Sequence, residues 1–84
     1  MIVEILPTAI KELKALPVNI QRQIAGKIDS LAKNPFPAGY KALKGEDTCR
    51  IRSGDYRVLY VVNKKANVLT IVKIRHRKDA YRGL

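Results

Sequence analysis

The stretch Cys49-Arg50-Ile51-Arg52-Ser53-Gly54-Asp55-Tyr56-Arg57-Val58-Leu59-Tyr60 leaves this chain little choice of local structure. From Cys49 to Arg52 apolar and cationic residues alternate with the period of a β-strand, so Cys49 and Ile51 face one way and Arg50 and Arg52 the other. Ser53-Gly54-Asp55 supplies a tight turn. Beyond it, Arg57 stands in a run of β-branched and aromatic residues suited to a sheet. Three guanidinium groups on adjoining strands are not explained by core packing. An anion is expected to meet them.

The rest of the composition sharpens that expectation. Eighty-four residues make one domain, spanning 1–84. Such a chain buries roughly 60–65% of its unfolded surface, so its small core must be well filled. Seventeen basic against seven acidic residues give a net charge of +10, which calls for a polyanionic partner, either nucleic acid or an acidic protein. One cysteine forms no internal disulfide and fits a reducing cytosol. With no run of 18 apolar residues and no basic-then-apolar N-terminus, a cytoplasmic protein with no membrane partner is expected. Cys49 and His76 are too few for a structural zinc site, so neither metal nor cofactor is expected.

Read in order, the chain begins with the short apolar strand Ile2-Val3-Glu4-Ile5-Leu6. Pro7-Thr8 opens a helix, proline suiting a first turn and threonine a cap, with Ala9, Ile10, Leu13 and Leu16 at helical spacing. Pro17 restarts a second helix, in which Ile20, Ile24, Ile28 and Leu31 form a stripe with Ala25 and Ala32 beside it. Asn34-Pro35 ends it, because a residue before proline disfavours the helical region. A loop from Pro35 to Gly45 leads into the hairpin. A polar turn over 63–67 then leads to a last strand from Val68 to Ile74. The expected fold is α+β: an N-terminal strand and an antiparallel helix pair packed on a small, mainly antiparallel sheet of about four strands.

For unbulged strands, alternation sorts the side chains into two faces. Cys49, Ile51, Tyr56, Val58, Tyr60, Val62, Val68, Val72 and Ile74 fall beneath the helices. Arg50, Arg52, Arg57, Lys73, Arg75 and Arg77 fall on the opposite face, together with Leu59, Val61, Leu69 and Ile71. This second face is cationic with an apolar sector, so RNA is expected at one end and a protein at the other.

A guanidinium cluster binds phosphate bidentately and stays charged at physiological pH. It could simply hold nucleic acid, or it could stabilise the charge of a phosphoryl transition state, with the RNA supplying its own 2′-hydroxyl as nucleophile. Spacing alone does not demand catalysis, because Glu46, Asp55, Asp79 and His76 are scattered. Plain readings stand beside the functional ones. Arg50 and Arg52 could be solvent-facing strand residues, and Arg57 could pair with Asp55 or Asp47. Tyr81 could stack on a base or cover the sheet edge, Lys41 and Lys44 could be phosphate contacts or loop lysines, and His76 could be a strand-end residue.

Taken together, the proline-started helix pair, Asn34-Pro35, Lys41-Ala42-Leu43-Lys44-Gly45, the arginine hairpin and the ending His76-Arg77-Lys78-Asp79-Ala80-Tyr81-Arg82 resemble the RelE-type toxins of the RelE/ParE superfamily. The resemblance covers essentially the whole chain. It implies the toxin of a type II toxin–antitoxin pair, restrained by an acidic RelB-like antitoxin. It further implies an enzyme that cuts mRNA in the ribosome by 2′-hydroxyl attack without a metal, inhibiting translation. By motif, Arg50 and Arg52 fall on strand cations that bind phosphate and assist the hydroxyl, and Arg57 on the phosphate clamp. Arg77 falls on the arginine that helps the leaving group and Tyr81 on the base-stacking tyrosine. Lys41, Lys44, Lys73, Arg75 and His76 are the remaining expected RNA contacts. This chain has arginine at the first two positions where lysine occurs in the best-studied pattern, and the C-terminal helix of some members is not expected in it. The alternative within the superfamily is a non-enzymatic ParE-like toxin that poisons DNA gyrase, which would have no need of the arginine set.

Overall fold

A computed structural model describes residues 1–43 and 47–78. They form β1 (Ile2–Ile5), α1 (Pro7–Lys14), α2 (Val18–Lys33), β2 (Lys41–Ala42), β3 (Thr48–Ser53), β4 (Tyr56–Asn63) and β5 (Val68–His76). The strands build one sheet in the order β1-β5-β4-β3-β2, in which β1 runs parallel to β5 and all other pairs are antiparallel. Five strands stand where about four were expected. The addition is β2, whose two residues pair with Arg50 and Cys49, and two residues are too few to show a period.

The helices form for the expected reasons, with local differences. Pro7 occupies the first turn of α1, and the extended residue before it is Leu6. Thr8 therefore lies inside the helix and does not cap it; no side chain caps this end. Ile10, expected on the apolar stripe, is 37% exposed, while Ala9 is fully buried. At the corner between the helices, Gln21 Nε2 donates to the carbonyls of Leu16 (2.7 Å) and Lys14 (3.3 Å), satisfying acceptors that the end of α1 leaves open. Ile24, Ile28 and Leu31 are buried along α2, although Ala25 beside them is exposed. Asn34 ends α2 in an extended conformation (φ −142°), as its following proline requires.

The hairpin turn is as short as a hairpin allows. Ser53 pairs with Tyr56, which leaves Gly54 and Asp55 as the connection, and Gly54 takes φ +58°. Across β4 and β5 the register holds until Leu59 pairs with Lys73 but Tyr60 with Ile71, so Val72 is a bulged residue. That one residue corrects the expected faces. Leu69 and Ile71, placed by simple alternation on the cationic face, are fully buried in the core. Val68 and Val72, expected under the helices, are only half-buried. After the bulge the phase changes, so Ile74 is again inward while Lys73 and Arg75 stay outward with Leu59 and Arg57.

Tyr60 is the largest fully buried side chain. Its hydroxyl donates to the Pro35 carbonyl at 2.7 Å, which ties the loop after α2 to the middle of the sheet. Burial, with the neighbouring Cys49 and Tyr40, raises its ionisation to about pH 12 from the usual 10. Because the unfolded chain loses this proton first, the tyrosine's contribution is intact below pH 10 and fades as pH climbs towards 12. Tyr60→Phe, which removes one hydrogen bond and leaves a part-buried carbonyl without its donor, should lower stability by about 1–2 kcal/mol in urea unfolding at neutral pH. The same variant should shed part of the alkaline fall in stability.

Candidate nucleic-acid interface

On the face away from the helices, cross-strand pairing lines up like charges. Arg52 lies opposite Arg57, and Arg57 opposite Arg75, giving a row of three arginines across β3, β4 and β5. The next row runs Lys41, Arg50, Leu59, Lys73. Directly opposed residues have Cβ atoms about 4.5–5.5 Å apart, and like charges so placed oppose folding. A sheet gains nothing internally from this arrangement.

The rows enclose a hollow of about 180 Å³ lined by Gly39, Lys41, Arg50, Arg52 and Arg57. Among the described residues no carboxylate lines it. Each cation arrives there for a local reason. Arg50 and Arg52 take the outward parity of β3, whose other parity, Cys49, Ile51 and Ser53, is buried. Arg52 Nε donates to the Gly54 carbonyl at 2.8 Å, which holds its guanidinium near the turn. Arg57 is half-buried on β4. Lys41 is exposed on the edge strand. Gly39 reaches the rim with φ +88°, in the left-handed region where a side chain would be strained. This loop is held by the Tyr60 bond and by Tyr40 N–H donating to the Pro37 carbonyl at 3.1 Å.

The other expected site residues spread around this hollow. Lys73 is exposed on β5, opposite Leu59. Arg75 stands in the arginine row, but its Nη1 bonds Glu12 of α1. Arg77 follows the end of β5, its N–H donating to the Asp55 carbonyl at 2.7 Å, which sets it beside the hairpin turn. His76 is not brought to the cationic face. It pairs with Tyr56, meets that ring edge-on at 5.2 Å, and accepts the Lys78 N–H on Nδ1. Lys44 and Tyr81 lie outside the described residues, as do Glu46 and Asp79. Two participants escaped the sequence reading. Gly39 carried a faint signal in its position two residues before Lys41, and Glu12 carried none.

The hollow suits a phosphate chemically, because fixed guanidinium groups present paired donors without a proton to lose. Among the described residues, nothing lining it is a ready proton acceptor. Cys49 faces the core, and burial, followed by the Asp47 carboxylate, pushes its thiol upward, away from reactivity. Among the described residues no group of three or more His, Cys, Asp or Glu side chains could hold a metal ion. No helix there is long and apolar enough to cross a membrane.

Comparison with known proteins follows the same lines. A family model described as the ParE toxin of the type II toxin–antitoxin system parDE matches residues 3–81. A protein of Methanocaldococcus jannaschii assigned as toxin RelE1 is 38% identical over 85 aligned positions, covering 96% of this chain and 94% of its own. Among solved structures, the RelE–RelB complex of Pyrococcus horikoshii contains a chain of TM-score 0.83 and 35% identity, with 94% of this chain and 97% of that one covered. The toxin–antitoxin complex RelBE2 of Mycobacterium tuberculosis gives TM-score 0.81 at 28% identity, over 90% and 96% of the two chains. The chain belongs to the ParE toxin family of type II toxin–antitoxin systems, as a toxin of RelE type.

Proposed function

We propose that this toxin is a ribosome-dependent mRNA endoribonuclease that stops translation and that an acidic RelB-like antitoxin holds in check. The observation that carries the reading is the hollow, which Lys41, Arg50, Arg52 and Arg57 line together and which is roomy enough for a phosphate. In this mechanism the 2′-oxygen of the mRNA attacks the adjacent phosphorus as the 5′-oxygen leaves, giving a 2′,3′-cyclic phosphate. The nucleophile belongs to the substrate, so no metal-bound water is needed to supply it, and the arginines take the place of a metal in neutralising charge. The cations neutralise the charge that grows on the phosphoryl oxygens, and being fixed in advance they need no reorganisation as it grows. Arg57 clamps the phosphate, Arg50 and Arg52 flank the attacking side, and Arg77 beside the hairpin turn serves the leaving oxygen. Tyr81 stacks on a base. Arginine is a poor base, so the proton of the 2′-hydroxyl passes to a group other than these.

The antitoxin part of the reading is supported by relatives that were solved as RelE–RelB complexes. The chain's +10 charge favours an acidic partner across the rows. A gyrase poison of the ParE kind would leave the arginine rows without a task.

Primer extension on mRNA from cells expressing the chain should reveal new cuts in phase with codons. Arg57→Ala should weaken them by about 100-fold or more, the loss expected when one preorganised donor to the transition state is removed. Intact mRNA together with accumulating gyrase–DNA breaks would overturn the nuclease in favour of gyrase poisoning. Arg50→Gln separates site from fold. Removing the charge opposite Lys41 should leave the thermal midpoint unchanged or slightly higher. It should also flatten the salt dependence of single-stranded RNA binding by about 0.7 in log–log slope, one phosphate contact.

A further inference from the structure

Strand β1 ends its pairing at Ile5, opposite Ile71, while β5 continues to His76. Among the described residues the far half of β5 therefore has no strand on that side, and α1 packs against β5. Glu12 fills the gap. One carboxylate oxygen accepts the Ile74 N–H at 3.4 Å, and the other takes Nη1 of Arg75. The Glu12 side chain is 19% exposed and that of Arg75 40%. Arg75 has its Cα opposite Arg57, yet it does not line the hollow that Arg57 lines. Its guanidinium is instead drawn over the edge of β5 towards the helix.

We propose that Glu12 is a positioning residue, which acts through Arg75 by keeping that guanidinium out of the phosphate-binding hollow. A bound strand then gives its phosphate to the cations of β2, β3 and β4, and is not pulled towards β5. The inference rests on reading the hollow as an RNA phosphate site. The physical choice is between two anions competing for one arginine. An ion pair this exposed is individually weak. The Ile74 N–H, however, fixes the carboxylate where Arg75 reaches it without extending from the sheet. Without the Glu12 charge, Arg75 is free to turn towards Arg57 and add its contact to the same phosphodiester.

Binding of a short single-stranded RNA, followed by fluorescence anisotropy across a potassium chloride series, tests this with four proteins: the unsubstituted chain, Glu12→Gln, Arg75→Gln and the double variant. Glutamine at position 12 keeps an oxygen for the Ile74 N–H and loses only the charge. Glu12→Gln should bind about two- to fivefold more tightly at low salt, the range of one weak ion pair released. Its log–log salt slope should be steeper by about 0.7, one further phosphate contact. Arg75→Gln in the same chain should cancel both changes. A slope unaltered by Glu12→Gln, or a steeper slope that survives in the double variant, would overturn the proposal. A purely structural Glu12 would lower the thermal midpoint and leave the slope alone, which also counts against it. Salt-independent binding, or none, by the unsubstituted chain would reject the RNA reading itself, and this inference with it.

Discussion

Side chains alternate along a strand, so a strand of nine residues ordinarily commits one parity to the core from end to end. Strand β5 is asked for two things that one parity cannot supply. Its first half must bury Leu69 and Ile71 beside β1, and its second half must put Lys73 and Arg75 on the outer face, although all four numbers are odd. The bulge at Val72 resolves the conflict by shifting phase between the halves. Ile74 then returns to the core while the cations remain outside. Without that residue, either the core would lose the fully buried Leu69 and Ile71 or the arginine row would lose its third member.

The arginine rows work in the opposite direction to the core. Three opposed guanidinium groups and a lysine opposite an arginine weaken the sheet that carries them, by up to about 1 kcal/mol per close pair before solvent screening. A chain of 84 residues has little stability to spare. The fold answers locally. Arg52 is tied to the turn by the Gly54 carbonyl, Arg75 is neutralised by Glu12, and the loop that bears Gly39 and leads into β2 is fastened by the Tyr60 hydroxyl. Each device fixes a side chain or a loop whose mobility would otherwise blur the hollow.

What the sequence disclosed was whatever repeats with a period. The α2 stripe and the Cys49–Ile51 alternation are long enough to state their own geometry, and they place the helix, the hairpin and the outward face of Arg50 and Arg52. The motif resemblance added the toxin family. The features that stayed hidden have no local signature. Val72 looks like any other β-branched strand residue, and only the demands of Ile71 on one side and Lys73 on the other single it out. Strand β2 is two residues taken up by a partner edge. Glu12 and Arg75 meet from 63 positions apart, a contact that no window along the chain can contain. The surroundings of His76 stay hidden for a related reason, since its face depends on the register with Tyr56 and not on the basic residues beside it.

The crowding of positive charge has one more consequence, which concerns equilibrium rather than chemistry. Repulsion across the rows is relieved whenever an anion settles there, so whatever binds the folded chain at this face also shifts it away from unfolding. Under the function proposed, the partner that blocks the hollow would then act as the toxin's folding stabiliser. Silencing and preservation become one event, and an unoccupied toxin is at once the active form and the less durable one.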